Sequence, residues 1–392
     1  MIKLQQVGGM FTMISDKELE RRRSSAQRIM RDKGADCVLT VAFNTAQGSG
    51  VRYFADFPAN DYGSAVILPA EGGLTYIAQG GYGKPAITPT SARGFDENIA
   101  IPYAPAFPYS NHLLSEEIVK CMKRRGFRRI GLYRKQFISY LIMDALKEQI
   151  DGVEFIPLDE EIDLLMAVKS EEEIKIFADV AKVHDNIYSC LDVIVKPGKT
   201  ERQIGNEIKK IALDQYFEDM NIMVGAGNPM ARHKWYLDQN GLVKDGDYLD
   251  ILVECQGPGG FFSEVSRMWS LGEPREDLKQ AFSDVVLIQE KLAAMAKPGV
   301  PACELMKELH RFQVSHGYEL ESRLCGHSQG YDVVNRPNLS LYETMSFQKN
   351  MYISIHPCLG NDNIFAMVTD NFLITEDGAK QFTKTPKVIH LL

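Results

Sequence analysis

Met166-Ala167-Val168-Lys169-Ser170-Glu171-Glu172-Glu173-Ile174 is the stretch that divides the chain. Ser170 followed three residues later by Glu173 has the capping-box form, in which the hydroxyl takes the N3 amide and the carboxylate returns to the serine amide. Apolar residues at Ile174, Phe177, Ala181 and Ile187 then mark one face of a long helix. A new domain begins here, so the expected division is residues 1–165 and 166–392.

Downstream, Lys196-Pro197-Gly198-Lys199-Thr200 precedes one helix and Lys297-Pro298-Gly299-Val300-Pro301 precedes another. Each Pro-Gly pair is followed by an amphipathic pattern, Ile204/Ile208/Ile211 in the first case and Leu305/Leu309/Phe312 in the second. The weak repeat predicts two similar halves, each with helices packed on strands, and a cleft where they meet. Upstream, the residues from Asp16 to Lys33 read as a charged helix stopped by Gly34, followed by a short buried strand at Cys37 to Val41. Tyr62 to Leu68 and Leu74 to Ala78 flank Ala70-Glu71-Gly72-Gly73 as a hairpin. A helix from Ser115 to Arg124, a strand from Arg129 to Leu132 and a helix near Ile138 to Ile150 complete an α/β alternation.

The 392 residues give room for two or three domains of ~150 residues each. Lys and Arg number 44 against 52 Asp and Glu, a net charge of -8, the opposite of the basic footprint that a nucleic acid demands. No stretch approaches the ~20 apolar residues that cross a bilayer; Val285 to Ala296 is broken by Gln289, Glu290 and Lys291. No nucleic-acid or membrane partner is expected. The opening residues lack the apolar core and small-residue cleavage site of a signal peptide, so the expected location is cytoplasmic. Seven cysteines without a CxxC pair read as reduced, mostly buried small hydrophobes.

Three of the eight histidines stand at loop or strand ends, where imidazole can act as base, acid or ligand. His233 ends Gly225-Ala226-Gly227-Asn228-Pro229-Met230-Ala231-Arg232-His233, His327 lies in Cys325-Gly326-His327-Ser328-Gln329-Gly330, and His356 lies in Ile353-Ser354-Ile355-His356-Pro357. His112, His184, His310 and His316 sit in or beside polar helix-like runs and His390 in the tail; most of these are expected at the surface. Glu264 is a carboxylate inside an aromatic-flanked strand, where burial raises its pKa unless a cation is near; Arg267 is the bland candidate for that cation. Arg336, on a turn before Pro337, is either a surface cation or a fork for a substrate carboxylate.

These segments stand in an order that resembles the creatinase/aminopeptidase P/prolidase family, whose catalytic domain has the pita-bread fold. The resemblance covers most of the chain. It is carried by the linker at 166–174, the Pro197-Gly198-Lys199-Thr200-Glu201 helix start, the loop ending in His233, Gly246-Asp247 and Ser263-Glu264-Val265-Ser266-Arg267. Gly326-His327, Pro357 and Leu373-Ile374-Thr375-Glu376-Asp377-Gly378 continue it. It implies an α+β chain, an N-terminal α/β creatinase-type domain followed by a pseudo-symmetric pita-bread catalytic domain. It also implies a homodimer in which the N-terminal domain lids the neighbour's site.

Peptidases of this family resemble one another in holding two metal ions with two Asp, one His and two Glu. Here the first Asp position falls on Leu252 or Val253 with Glu254 nearby, the second on Glu264, the His on His327, the first Glu on His356 and the last on Thr369 beside Asp370. Two adjacent hard cations need several bridging carboxylates, so a dinuclear centre is not expected. A family histidine on the substrate side falls on Val334, which weakens a proline-peptidase reading. Creatinase is similar in lacking the metals and in using a histidine on the loop of His233. The first expectation is therefore a metal-independent hydrolase of a C–N bond in a small polar nitrogen-containing substrate, without a cofactor. His233 is then general base and acid, with Glu264, His327 and His356 as the other catalytic residues. Arg336 holds a substrate carboxylate, and Asp61 and Tyr62, in Phe57-Pro58-Ala59-Asn60-Asp61-Tyr62, meet a cationic portion. The alternative is a single Zn, Fe or Mn ion on Glu264, His327 and His356, serving a hydrolase or lyase. An Xaa-Pro peptidase and a non-catalytic pita-bread binding protein are the remaining readings.

Overall fold

A computed structural model describes residues 14–59, 63–80, 95–102 and 107–392, and the chain falls into two compact units, 14–166 and 167–392. In the first unit helix α1 (Asp16–Lys33) starts on the Ser15 hydroxyl, which accepts from the Glu18 amide at 3.1 Å, and ends at Gly34 in the left-handed conformation with φ +69°. Strand β1 (Cys37–Ala42) is buried along its whole length and is central. It is followed by α2 (Ser49–Ala55), β2 (Ser64–Pro69), β3 (Leu74–Gly80), β4 (Phe95–Pro102), α3 (Phe107–Arg125), β5 (Arg129–Leu132), α4 (Tyr140–Gln149), β6 (Glu154–Pro157) and α5 (Asp159–Ala167). The strands form one mixed sheet in the order β4-β3-β2-β1-β5-β6, with β1 antiparallel to β2 and parallel to β5. The expected hairpin is present, with β2 paired antiparallel to β3 through Val66 opposite Tyr76. Leu39, Ile67, Ile118, Met122, Ile130 and Ile142 sit in its apolar core.

The second unit opens with α6 (Glu171–Tyr188), whose capping box forms as the sequence reads: the Glu173 amide donates to Ser170 Oγ at 3.2 Å and the Ser170 amide to Glu173 Oε2 at 2.8 Å. Near its start Ile176, rather than Ile174, takes the buried position. Two half-sheets follow. The first half carries α7 (Leu191–Ile194), α8 (Glu201–Asp214), β7 (Asp219–Gly227), β8 (Tyr248–Gln256) and β9 (Phe262–Ser270), and the second opens with α9 (Glu276–Met295) and α10 (Cys303–His316). Short strands β10 (Gly326–Ser328), β11 (Asn335–Asn338), β12 (Tyr352–Ile355), β13 (Cys358–Asn361), β14 (Ile364–Met367), β15 (Asp370–Ile374), β16 (Ala379–Gln381) and β17 (Ile389–Leu391) complete it. The sheets run β17-β9-β8-β7 and β11-β10-β12-β15-β16, with β13-β14 as a separate ribbon, and the bridge Ser266–Thr369 links β9 to the second half. The α+β architecture with paired halves is the one the Pro-Gly repeat implies: α8 and α10 each follow one of the two Pro-Gly segments.

One buried arginine shows how the halves are pinned. Arg267 Nε donates to Pro386 O at 2.8 Å, Nη1 to Ser266 O at 2.7 Å and Thr369 O at 2.9 Å, and Nη2 to Asp370 Oδ1 and Thr385 O, each at 2.7 Å. All five guanidinium donors are matched, the condition under which a buried charge is tolerated. Among the described residues no helix is long and apolar enough to cross a membrane, and all seven cysteines are free thiols, five of them buried.

Candidate functional site

Glu264 on β9, His327 on β10 and His356 just after β12 come together from the two half-sheets. The period-2 alternation of β9 turns Glu264 and Arg267 to opposite faces, so Arg267 pairs with Asp370 while Glu264 faces the imidazoles. The expected Glu264–Arg267 ion pair is thereby replaced. His327 Nε2 lies 3.2 Å and His356 Nε2 3.8 Å from the same oxygen, Glu264 Oε1. The Asn371 side chain fixes the carboxylate's backbone, its Nδ2 donating to Glu264 O at 2.7 Å and its Oδ1 accepting from Glu264 N at 3.4 Å.

His327 Nδ1 lies 3.1 Å from Ser328 O, a carbonyl that accepts from Nδ1–H, and Nε2 faces the Glu264 carboxylate. Burial lowers the His327 pKa, but the charge of Glu264 and its hydrogen bond outweigh this and leave it above the ordinary value. Burial of His356 dominates instead and takes it down to about 4, so that imidazole is neutral. Burial would lift Glu264, yet the two histidines outweigh it and hold the carboxyl below the usual range. Opposite Glu264 across the β8–β9 ladder stands Glu254, pushed up to about 7 by burial and by the charge of Glu264.

His233 sits on the segment after β7, and a glycine permits its placement. A Cβ at Gly225 would lie 1.6 Å from Arg232 O, so only glycine lets the returning chain lie on the strand. Gly225 is also the ladder partner of Asp250. The loop therefore delivers His233 onto Asp250, with Nδ1 2.6 Å and the backbone amide 3.2 Å from Oδ2. Asp250 is fully buried and also accepts from Ser266 Oγ at 2.9 Å. Burial lowers the His233 pKa, but Asp250 more than offsets this through charge and hydrogen bonding, and the net shift is upward. Fully buried Glu201 holds the same loop, accepting from the Ala226 and Gly241 amides and from Lys234 Nζ at 2.7, 2.9 and 2.6 Å.

His233 lines a cavity of about 310 Å³ together with Arg232, Arg323, Glu321, Cys358 and Phe365. Phe365 meets the imidazole edge-on at 6.0 Å between ring centres. Arg336 is engaged elsewhere: Nη2 lies 2.6 Å from Glu343 Oε1 and Nε 3.2 Å from Oε2, so its fork is closed on a protein carboxylate. Asp61 and Tyr62 lie outside the described residues. His184 corrects a surface assignment, being fully buried on α6 against Phe217 with its pKa lowered to about 4 by burial. Asp250 is the site residue that the motif reading missed, and Glu254, noted beside the first family Asp position, was given no role. The alternation Asp250, Leu252, Glu254 along β8 was the available signal, since it puts both carboxylates on one face of the strand.

Residues 175–376, over half the chain, match the model of metallopeptidase family M24, and residues 22–168 match the creatinase/prolidase N-terminal domain. The chain belongs to family M24. This M24 chain is 26% identical over 283 residues to an Xaa-Pro dipeptidase of Pyrococcus horikoshii, covering 69% of this chain and 77% of the relative. It is 24% identical over 270 residues to an uncharacterized peptidase of Bacillus subtilis, covering 68% and 76%. Its fold matches the prolidase of Pyrococcus horikoshii at TM-score 0.77 and 21% identity, over 93% of this chain and 99% of that one. An Xaa-Pro dipeptidase from Bacillus anthracis matches at 0.78 and 21%, over 95% and 100%. The pita-bread expectation holds, and membership places the M24 chain among hydrolases of C–N bonds.

A metal is the family's ordinary cofactor, and the residues present fit one ion. A tetrahedral ion bound at 2.0–2.1 Å separates its ligand atoms by roughly 3.4 Å, and the Glu264 oxygen stands 3.2 and 3.8 Å from the two imidazole nitrogens. The expectation of a cofactor-free mechanism gains no support from this arrangement, which matches the single-ion alternative. A second ion does not fit: Leu252, Val253 and Thr369 offer no carboxylate, and Asp370, beside Thr369, is held by Arg267 at 2.7 Å.

Proposed function

We propose that this M24 chain hydrolyses a C–N bond in a small peptide or amide at a centre that holds one divalent ion on Glu264, His327 and His356. The mutual spacing of those three donors, all buried and drawn from both halves of the fold, carries the reading. An ion bound there supplies Lewis acidity toward the scissile carbonyl. The chain's own part is proton transfer and positioning. With Nδ1–H donating to Asp250, His233 presents Nε2 as the basic atom toward the cavity, takes the proton of the attacking water and returns it to the leaving nitrogen. Asp250 holds the tautomer and stabilises the imidazolium that forms. Glu254, titrating near neutrality across the ladder from Glu264, stores a proton beside the centre.

The cavity of about 310 Å³ admits a dipeptide-sized molecule, and the dipeptidase names of the relatives make Xaa-Pro dipeptides the first substrates to test. The assay is amino-acid release from a panel of Xaa-Pro and Xaa-Gly dipeptides with and without added Zn, Mn or Fe(II). Hydrolysis that stops on chelation, returns with metal and is lost in Glu264→Gln supports the reading. Turnover that persists undiminished in chelator contradicts it.

A further inference from the structure

Glu201 closes the Pro197-Gly198-Lys199-Thr200-Glu201 helix start as the first residue of α8, behind the Thr200/Gln203 capping box, and its carboxylate is fully buried. Among the described residues three donors reach that carboxylate, and they bracket His233. Oε1 accepts from the Ala226 amide at 2.7 Å and from Lys234 Nζ at 2.6 Å, and Oε2 from the Gly241 amide at 2.9 Å. The Glu201 amide in turn donates to Gly241 O at 3.0 Å, and a Cβ on Gly241 would stand 3.0 Å from the carboxylate carbon, so a side chain there would press on it. Gln239, also fully buried, completes the hold, its Nε2 donating to Lys234 O at 2.8 Å and to Ile222 O on β7 at 2.7 Å. The residue next to His233 is thus tied at its carbonyl and at its ammonium to two buried side chains. A charge taken out of water gains little net stability from its partners, because desolvation offsets the attraction. What charge-assisted contacts at three fixed points supply is placement.

Resting on the reading of His233 as proton carrier, we propose that Glu201 is a positioning residue of the reaction, pinning the segment from Ala226 to Gly241 so that the imidazole stays seated on Asp250. The charges that face His233 are Asp250 and Glu254 on β8, Glu264 on β9 and Arg323 before β10, with Arg232 beside it and Glu319 and Glu321 on the cavity wall. Asp250 is the one within hydrogen-bond reach of the ring, at 2.6 Å. A segment released from Glu201 lets the ring leave Asp250 for part of the time. The imidazole then loses both its fixed tautomer and the charge that favours its protonated form.

The test reads the seat of His233 directly. Its ring C–H resonance, assigned by its loss in His233→Ala, is followed by NMR through a pH titration of wild type, Glu201→Gln and Lys234→Met. Glu201→Gln keeps the shape but gives up the charge and one acceptor, and is predicted to lower the His233 pKa by about half a unit or more. Lys234→Met removes one of the three donors and is predicted to shift it the same way by less. That second direction is diagnostic, because loss of a neighbouring cation by its charge alone raises a histidine pKa. His233 titrating as in wild type in Glu201→Gln, or failing to fall in Lys234→Met, overturns the proposal; where Glu201→Gln does not fold, Lys234→Met decides alone. In the dipeptide assay the same variants are expected to lower kcat about tenfold or more with KM little changed, and a loss confined to KM contradicts the role. The titration needs no turnover, so wild type that is inactive on dipeptides strikes the hydrolase reading, whereas an unshifted His233 in active enzyme strikes the positioning role alone.

Discussion

At the scale of single residues the chemistry turns on how neighbours set protonation. In the proposed mechanism His233 has to be neutral to accept a proton, and Asp250 holds its pKa above the ordinary value, so kcat/KM is expected to rise with pH as that raised pKa is passed. Asp250→Asn removes the charge and the acceptor; the acid limb then shifts to lower pH while kcat falls, since the ring loses its fixed tautomer. A pH profile of the two proteins checks this, and an acid limb that does not move separates His233 from the titration. His233→Ala is expected to cost at least about a hundredfold in kcat, the ordinary scale of a lost general base, in a chain that still unfolds cooperatively. Retention of most activity removes His233 from that role.

At the scale of elements, hairpin β8–β9 and the strands it meets hold the site in register. Arg267 satisfies five acceptors from inside the core, one of them the Asp370 carboxylate, so Arg267→Ala leaves a buried charge without its partner. Breaking a buried pair in this way costs about 3–5 kcal/mol, which equilibrium unfolding in urea measures. Gly225→Ala collides with Arg232 O and displaces the loop; His233 function is expected to fail even where the fold survives, read as a loss of turnover with a retained melting transition. Much of this level was legible in the chain. The capping box at Ser170, the helix from Asp16 to Lys33 and the paired Pro-Gly starts all signal themselves locally, because caps and Pro-Gly turns act over a few residues. Glu264, His327 and His356 were legible as chemistry-bearing residues through the order of their motifs. The single-ion alternative grouped the three through the family resemblance; their meeting at one carboxylate oxygen depends on β9, β10 and β12 joining across the two halves, which no spacing along the chain encodes. Arg336 illustrates the same gap, since its partner Glu343 is fixed by a turn whose shape sequence does not reveal. His184 was misread because its helix carries charged neighbours, while its own position falls on the buried face beside Val183 and Ile187.

At the scale of the whole molecule, the pita-bread unit keeps the family's framework, while its residues fit the one-ion centre proposed above. Two half-sheets still bring three donors together, but the carboxylates that would bridge a second ion are absent at Leu252, Val253 and Thr369. Neutral His356 and carboxylate Glu264 are in ligand-ready form, whereas at His327, whose pKa Glu264 holds above the ordinary value, an ion competes with the proton, so ion affinity is expected to weaken as pH falls. The most direct test of the central claim is elemental mass spectrometry on protein loaded with Zn, Mn or Fe(II) and freed of excess by gel filtration. The account predicts close to one ion per chain in wild type and a small fraction of that in Glu264→Gln and His327→Ala. Two ions per chain, or none in wild type, would contradict it.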